Sequence, residues 1–229
     1  QHTLRLLLAG VGSEVLGAYA NFGVTKLDEI AEPQTASIII AGFGRYGQIV
    51  SRVLLANGVA ATVLDHDAEM IESARKFGYR VFYGDATRLD LLRTAGAETA
   101  KILVVAVDDV DQSLQIIDQV QAHFAHLQIV ARARDVTHWN KLRDRNIKLV
   151  QRELFESSLR SARNVLALLG FEPDAADLGI RRFRKHNLEL LEQMYPHYRD
   201  SAKLIAVAKQ GRQQLEEQMA LERETQNRD

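Results

Sequence analysis

Gly42-Phe43-Gly44-Arg45-Tyr46-Gly47 spells GxGxxG between an apolar run, Ser37–Gly42 (SIIIAG), and a stretch with apolar residues at helical spacing, Gln48–Ala56. A strand running through a glycine turn into a helix is the context in which this motif holds a phosphate. Gly42 permits the tight turn, Gly44 lets backbone approach the anion, and Gly47 lets helix and strand pack closely. The helix N-terminus then offers unpaired N–H groups and the positive end of its dipole. Asp65 closes the second apolar run, Thr62–Asp65. A carboxylate there accepts bonds from ribose hydroxyls and repels a 2′-phosphate, which disfavours NADP. His66 follows at the ribose or adenine. These residues point to an adenine nucleotide.

Other chemistry is harder to build from this chain. It has no cysteine, which removes disulfides, thiolate metal sites and a cysteine nucleophile. His123, His126 and His138 show no partner in the sequence that would make them acid–base groups. There is no nucleophile elbow, metal cluster or carboxylate pair, and the region after Val150 is small and highly charged for a catalytic domain. We therefore expect a binding module without catalytic or metal-ligating residues, against the alternative of a small NAD-dependent oxidoreductase. The formal net charge of −1 supplies no global basic field, so nucleic acid is not an expected partner.

The elements that must hold the site follow from the same pattern. Strands are read at Ser37–Gly42, Thr62–Asp65, Tyr79–Tyr83, Ile102–Val107, Gln128–Ala133 and Ile147–Val150. Helices are read between them at Gln48–Ala56, Ala68–Phe77, Leu89–Ala95, Asp111–Phe124 and Thr137–Arg145. This alternation implies right-handed crossovers and a parallel sheet. The fold class is α/β, a doubly wound Rossmann-type parallel sheet followed by a C-terminal helical extension. Helices are expected there at Glu153–Leu169, broken by Gly170 and Pro173, at Asp177–Met194, and over the charged stretch His197–Asp229. Leu154, Phe155, Leu159, Ala162, Leu166 and Leu169 lie near one face of the first of these.

The division reads as 1–36, a linker or upstream segment; 37–150, the nucleotide-binding domain; and 151–229, the helical extension, contributing to ligand binding and dimerisation. Within the first segment, Leu6–Val24 reads as an ordinary packed or linker segment or as the tail of an upstream membrane domain. The start at Gln1 suggests a fragment or a processed chain, and a secretory signal fits badly.

The motif string is more specific than GxGxxG alone. GFGRYG (42–47), VLDHD (63–67), VFYGDATRLDLLRTAG (81–96) and the later VVAVDD (104–109) together resemble the nucleotide-binding domain that regulates potassium channels and transporters. RKFG (75–78), HLQIVARARD (126–135) and RELFE (152–156) narrow this to a close resemblance to the C-terminal domain of the Kef family, bacterial glutathione-gated potassium efflux systems. The resemblance covers Ser37 to Met194.

The resemblance implies a regulatory domain at the cytoplasmic face of the bacterial inner membrane. Such domains govern potassium/proton antiport through a membrane transport domain outside this chain. Glutathione holds the system closed, and glutathione S-conjugates of electrophiles open it. Such domains form homodimers, bind AMP, and are met by a quinone-reductase-like ancillary protein. The alternative within the same fold is an NAD(H)-sensing domain of a potassium uptake system.

The resemblance also assigns residues. Gly42, Gly44, Arg45, Tyr46 and Gly47 would surround the phosphate, with Asp65 on ribose and Asp85 and Ala86 bordering the base. Arg152 and Asn187 would bind glutathione, with Asp135 and Phe77 nearby. An arginine fork suits a carboxylate, an asparagine suits peptide groups, an acid meets the ammonium, and a bulky ring can be displaced by an S-substituent. Read alone, Arg152 could equally cap a helix or join a salt bridge, Asn187 could face solvent, and Phe77 could belong to the core. Arg132 and Arg134 share one strand face and could pair with local acids.

Overall fold

The computed structural model describes residue 30 and residues 32–226. Apart from residues 30 and 32–36, the segment read as 1–36 lies outside them. Six strands form one sheet: β1 Ile38–Ala41, β2 Thr62–Asp65, β3 Phe82–Tyr83, β4 Ile102–Val105, β5 Gln128–Ala133 and β6 Leu149–Arg152. Their order is β3-β2-β1-β4-β5-β6. The pairings from β3 across to β5 are parallel, with Ile40 opposite both Val63 and Val104. Helices α1 Arg45–Ala56, α2 Ala68–Lys76, α3 Leu89–Thr94, α4 Val110–His123 and α5 Val136–Asp144 make the connections. This is the doubly wound Rossmann arrangement expected from the alternation of strands and helices.

The central strands are buried on both faces, which explains their continuous apolar sequences. Ile38 and Ile40 pack with Val63 and Val104 in one cluster with Phe43, Ile71, Ala74 and Val81. The alternation of strand side chains sends Ile39 to the opposite face. The helices start and stop on local chemistry. Asp67 caps α2 by accepting from the N–H groups of Glu69 and Met70, and Asp109 caps α4 by accepting from Gln112. Gly78, at a φ of 81°, follows the end of α2.

Among the described residues three further helices follow: α6 Phe155–Leu168, α7 Pro173–Met194 and α8 Ser201–Gln226, with a 3₁₀ turn at Tyr195–His197 before α8. Several boundaries differ from the sequence expectation. Helix α7 begins at Pro173 instead of Asp177, because proline at the first helical position forfeits an N–H that has no partner there anyway. Strand β3 shortens to Phe82–Tyr83, and β6 shifts to Leu149–Arg152. Asn146, at a φ of 58°, turns the chain before β6. Helix α8 runs unbroken through Gly211, where a Cβ would lie 2.4 Å from Leu190 Cδ1; glycine permits that approach to α7.

The described residues divide into two compact units, one made of those up to 134 with 141–151, the other of residues 135–140 with 152–226. In the second unit, Arg163 pairs with Asp177, and Arg184 donates to both Glu156 oxygens at 3.0 and 2.8 Å, tying α6 to α7. An aromatic row lies in the same unit. Trp139 meets Tyr195 edge-on at 6.4 Å, Tyr195 stacks on Tyr198 at 5.9 Å, and the Arg199 guanidinium lies over Tyr198. On α6 only Leu159 of the expected apolar face is buried; Leu154, Val165, Leu168 (88% exposed) and Leu169 are open to solvent.

Candidate functional site

The glycine turn sits between β1 and α1, at the point where the sheet order reverses. Backbone bonds fix it on both sides. Gly42 donates to the Leu64 carbonyl at 2.8 Å, and Ala106 donates to the Ala41 carbonyl at 2.7 Å. Gly42 has a φ of 99°, and a Cβ there would lie 2.8 Å from the Ala106 carbonyl carbon and the Val107 nitrogen. Gly47 is tighter still, since its Cβ would lie 2.0 Å from the Gly42 carbonyl oxygen. Gly44 caps α1 with no side-chain bond, and a Cβ there would meet nothing within 4 Å. The turn is packed beneath and open above, where the α1 N-terminus points. That geometry presents backbone N–H groups and a helix dipole to an anion.

Asp65 holds this turn through both carboxylate oxygens. Its Oδ2 accepts from the Phe43 N–H at 2.6 Å, and its Oδ1 accepts from the Asp67 N–H at 2.8 Å. A carboxylate has room for further donors after two such bonds, so ribose hydroxyls can still be accepted. Of the other expected residues, Arg45 and His66 are exposed and Tyr46 is half-buried. Burial raises the Tyr46 phenol above its ordinary pKa, and the Arg132 charge draws it the other way. Asp85 is exposed after β3 and accepts from Thr87 N–H and Oγ at 2.9 and 2.7 Å, while Ala86 is buried beside it.

The second unit brings together Arg152, at the end of β6, and Asn187, in the middle of α7. Arg152 Nη2 donates to Asn187 Oδ1 at 2.7 Å. The guanidinium also lies 3.6 Å from the centre of the Phe155 ring, and Phe155 in turn faces Phe183. Burial pushes the Arg152 pKa below the usual arginine value, against the pull of Glu156. A desolvated, stacked guanidinium with an amide partner is suited to a planar carboxylate. Asp135 is exposed, and its Oδ1 accepts from the His138 N–H at 2.8 Å. It therefore caps α5. Phe77, in the first unit, is half-buried at the C-terminal end of α2.

Two partners were not singled out in the sequence. Phe155 follows Arg152 by one turn of chain, and its ring was read only as part of an apolar face. Asp108 pairs with Arg132, whose side chain is almost wholly buried while Arg134 is exposed. Period-two spacing puts both arginines on one face but gives no sign of which turns inward. Among the described residues no group of histidines and acids could hold a metal ion, and no helix is long and apolar enough to cross a membrane.

Comparison with known proteins adds the family context. The TrkA-N domain family matches residues 38–152, and the potassium efflux system KefB C-terminal domain family matches residues 157–229. The glutathione-regulated potassium-efflux system protein KefC of Escherichia fergusonii is 47% identical over 199 residues, which are 87% of this chain and 32% of that protein. The Escherichia coli proteins of the same name match at the same identity and coverage. The chain thus spans about a third of the length of the curated relatives it matches. The Shewanella denitrificans Kef C-terminal domain, solved in an AMP-bound form, is 37% identical with a TM-score of 0.64, covering 69% of this chain and 97% of that one. The TrkA-N domain of an inner membrane protein from Escherichia coli shares the fold at 23% identity and a TM-score of 0.51, over 59% of this chain and 98% of that one.

Proposed function

We propose, from the premise that the chain belongs to the Kef C-terminal domain family built on a TrkA-N fold, that it is the glutathione-responsive regulatory part of a potassium efflux system. The first unit binds AMP at the Gly42–Gly47 turn, with Asp65 on the ribose and His66, Asp85 and Ala86 toward the base; the AMP-bound form of the Shewanella relative supports the choice of nucleotide. NAD(H) is the alternative nucleotide. Arg152 and Asn187 bind glutathione, with Asp135 near the ammonium; Phe77 belongs to the set by the resemblance alone. The observation that carries the glutathione reading is the Arg152–Asn187 bond, which joins a half-buried guanidinium to an amide across 35 residues of sequence.

Regulation then follows from differential binding. Glutathione favours the closed state and a bulky S-conjugate the open one, which requires each ligand to contact the two states differently. The transport domain lies outside this chain, potassium efflux is coupled to proton entry, and the domain works at the cytoplasmic face of the inner membrane. The exposed leucines and valine of α6 are suited to a second copy of the chain, since an apolar surface of this kind is costly to leave in water. A quinone-reductase-like protein is the expected ancillary partner. The domain has no catalytic step of its own.

Calorimetric titration of the AMP-loaded chain with glutathione and then with a bulky S-conjugate is expected to show saturable binding of each and mutual displacement. A folded, nucleotide-loaded chain that binds neither would overturn the glutathione reading and leave a nucleotide-sensing domain of a potassium uptake system. Asp65→Asn is expected to weaken AMP binding about tenfold, because one side-chain oxygen becomes a donor and the charge-assisted bonds are lost. Unchanged AMP affinity in that variant would remove Asp65 from the site.

A further inference from the structure

The loop that leaves β4 forms the second wall of the nucleotide crevice. Strands β1 and β4 are neighbours whose connections depart to opposite sides of the sheet, and ligands in such folds lie between the two exits. The first wall is the glycine turn, and Gly42 packs directly against Ala106 and Val107. Asp108 is the next residue. Its side chain is 71% exposed, yet its Oδ1 accepts from Arg132 Nη1 at 2.6 Å. Arg132 is 1% exposed, and its Nη2 donates to the Val107 carbonyl at 2.8 Å. A buried cation thus grips both the backbone and the carboxylate of the second wall. The Arg132 charge reaches Tyr46 on the glycine turn, so the two walls share one electrostatic environment.

We propose that Asp108, held in place by Arg132, is a specificity determinant that favours a nucleoside monophosphate over nucleotides carrying further phosphate. The inference rests on the nucleotide part of the reading above. A monophosphate ends at the glycine turn, facing the α1 N-terminus. A second phosphate extends along the adjacent wall, toward an anchored carboxylate of like charge. Arg132 offsets part of that charge, but its side chain is 1% exposed against 71% for the carboxylate, so a phosphate arriving from the solvent side meets the carboxylate first. Asp109, exposed beside it and accepting one N–H of α4, adds a second negative charge to the same loop.

The test is titration of the whole chain and of its Asp108→Asn variant with AMP, ADP and ATP. The wild type is expected to prefer AMP. The variant is expected to narrow the AMP-to-ADP ratio roughly five- to tenfold, the size of one like-charge interaction near a surface. The effect should shrink as salt is raised, which a purely structural brace would not produce. Asp108→Ala serves as a second variant that removes the carboxylate without leaving an amide on Arg132. A wild type that binds ADP as well as AMP overturns the proposal. So does an unchanged ratio in both variants, or loss of all nucleotide binding in variants that remain folded. A wild type that binds no adenine nucleotide overturns the underlying reading instead, and the proposal with it.

Discussion

Gly47→Ala is expected to abolish nucleotide binding and to lower the thermal midpoint of the chain. The new Cβ would lie 2.0 Å from the Gly42 carbonyl oxygen and 3.0 Å from its carbon. Both are backbone atoms, and Gly42 is already jammed against Ala106 and Val107 at a φ open mainly to glycine. Neither side of the contact can move without opening the α1–β1 packing. Overpacking of this kind costs about 1–3 kcal/mol when side chains absorb it, and more is expected where only backbone can yield. Gly44→Ala provides the contrast. A Cβ at Gly44 meets nothing within 4 Å, and its φ of −66° suits alanine. That variant should keep the wild-type thermal midpoint and lose affinity only by crowding the phosphate. Thermal unfolding with parallel AMP titration separates the two, and equal midpoints for Gly47→Ala and wild type would refute the packing argument.

Arg152→Ala is expected to weaken glutathione binding about a hundredfold while leaving AMP binding intact. The substitution removes the carboxylate fork and strands Asn187 Oδ1 without its 2.7 Å donor. Truncating one member of a partly desolvated, hydrogen-bonded charge cluster costs a few kcal/mol at a binding site. Arg152→Lys restores charge but not the planar fork or the stacking on Phe155, so it should recover only part of the loss. Competition calorimetry on the three proteins checks this. Wild-type glutathione affinity in Arg152→Ala would dismiss the proposed site, and loss of AMP binding as well would mark a folding defect.

The parts of this molecule that were legible in its sequence are those fixed by neighbours along the chain. GxGxxG between an apolar run and a helical one required no tertiary information, because the turn, strand and helix are contiguous. The caps at Asp67 and Asp109 are equally local, yet they were not singled out in the sequence. Asp65 drew attention as a carboxylate at a strand end, but its role as the anchor of Phe43 was not readable, since that bond spans 22 residues. Arg132 and Arg134 looked equivalent because strand periodicity fixes a face and not a depth; burial and the bonds to Asp108 and Val107 set Arg132 apart. Pro173 was read as a breaker because a proline signals the end of one helix and the start of the next with the same residue. Arg152 and Asn187 entered through the family resemblance, not through spacing, since nothing local joins a strand end to the middle of α7. Phe155 was missed beside them because an aromatic residue on an amphipathic helix reads as core.

The aromatic row in the second unit gives the chain a built-in optical reporter. Trp139 is its single tryptophan, and it meets Tyr195 edge-on at the end of α7. Asp135 lies one helical turn before Trp139, and Asn187 lies two turns before Tyr195, both on the elements that meet in this contact. A ligand that shifts α7 against residues 135–140 therefore changes the surroundings of one indole, and its emission registers the shift without any attached dye.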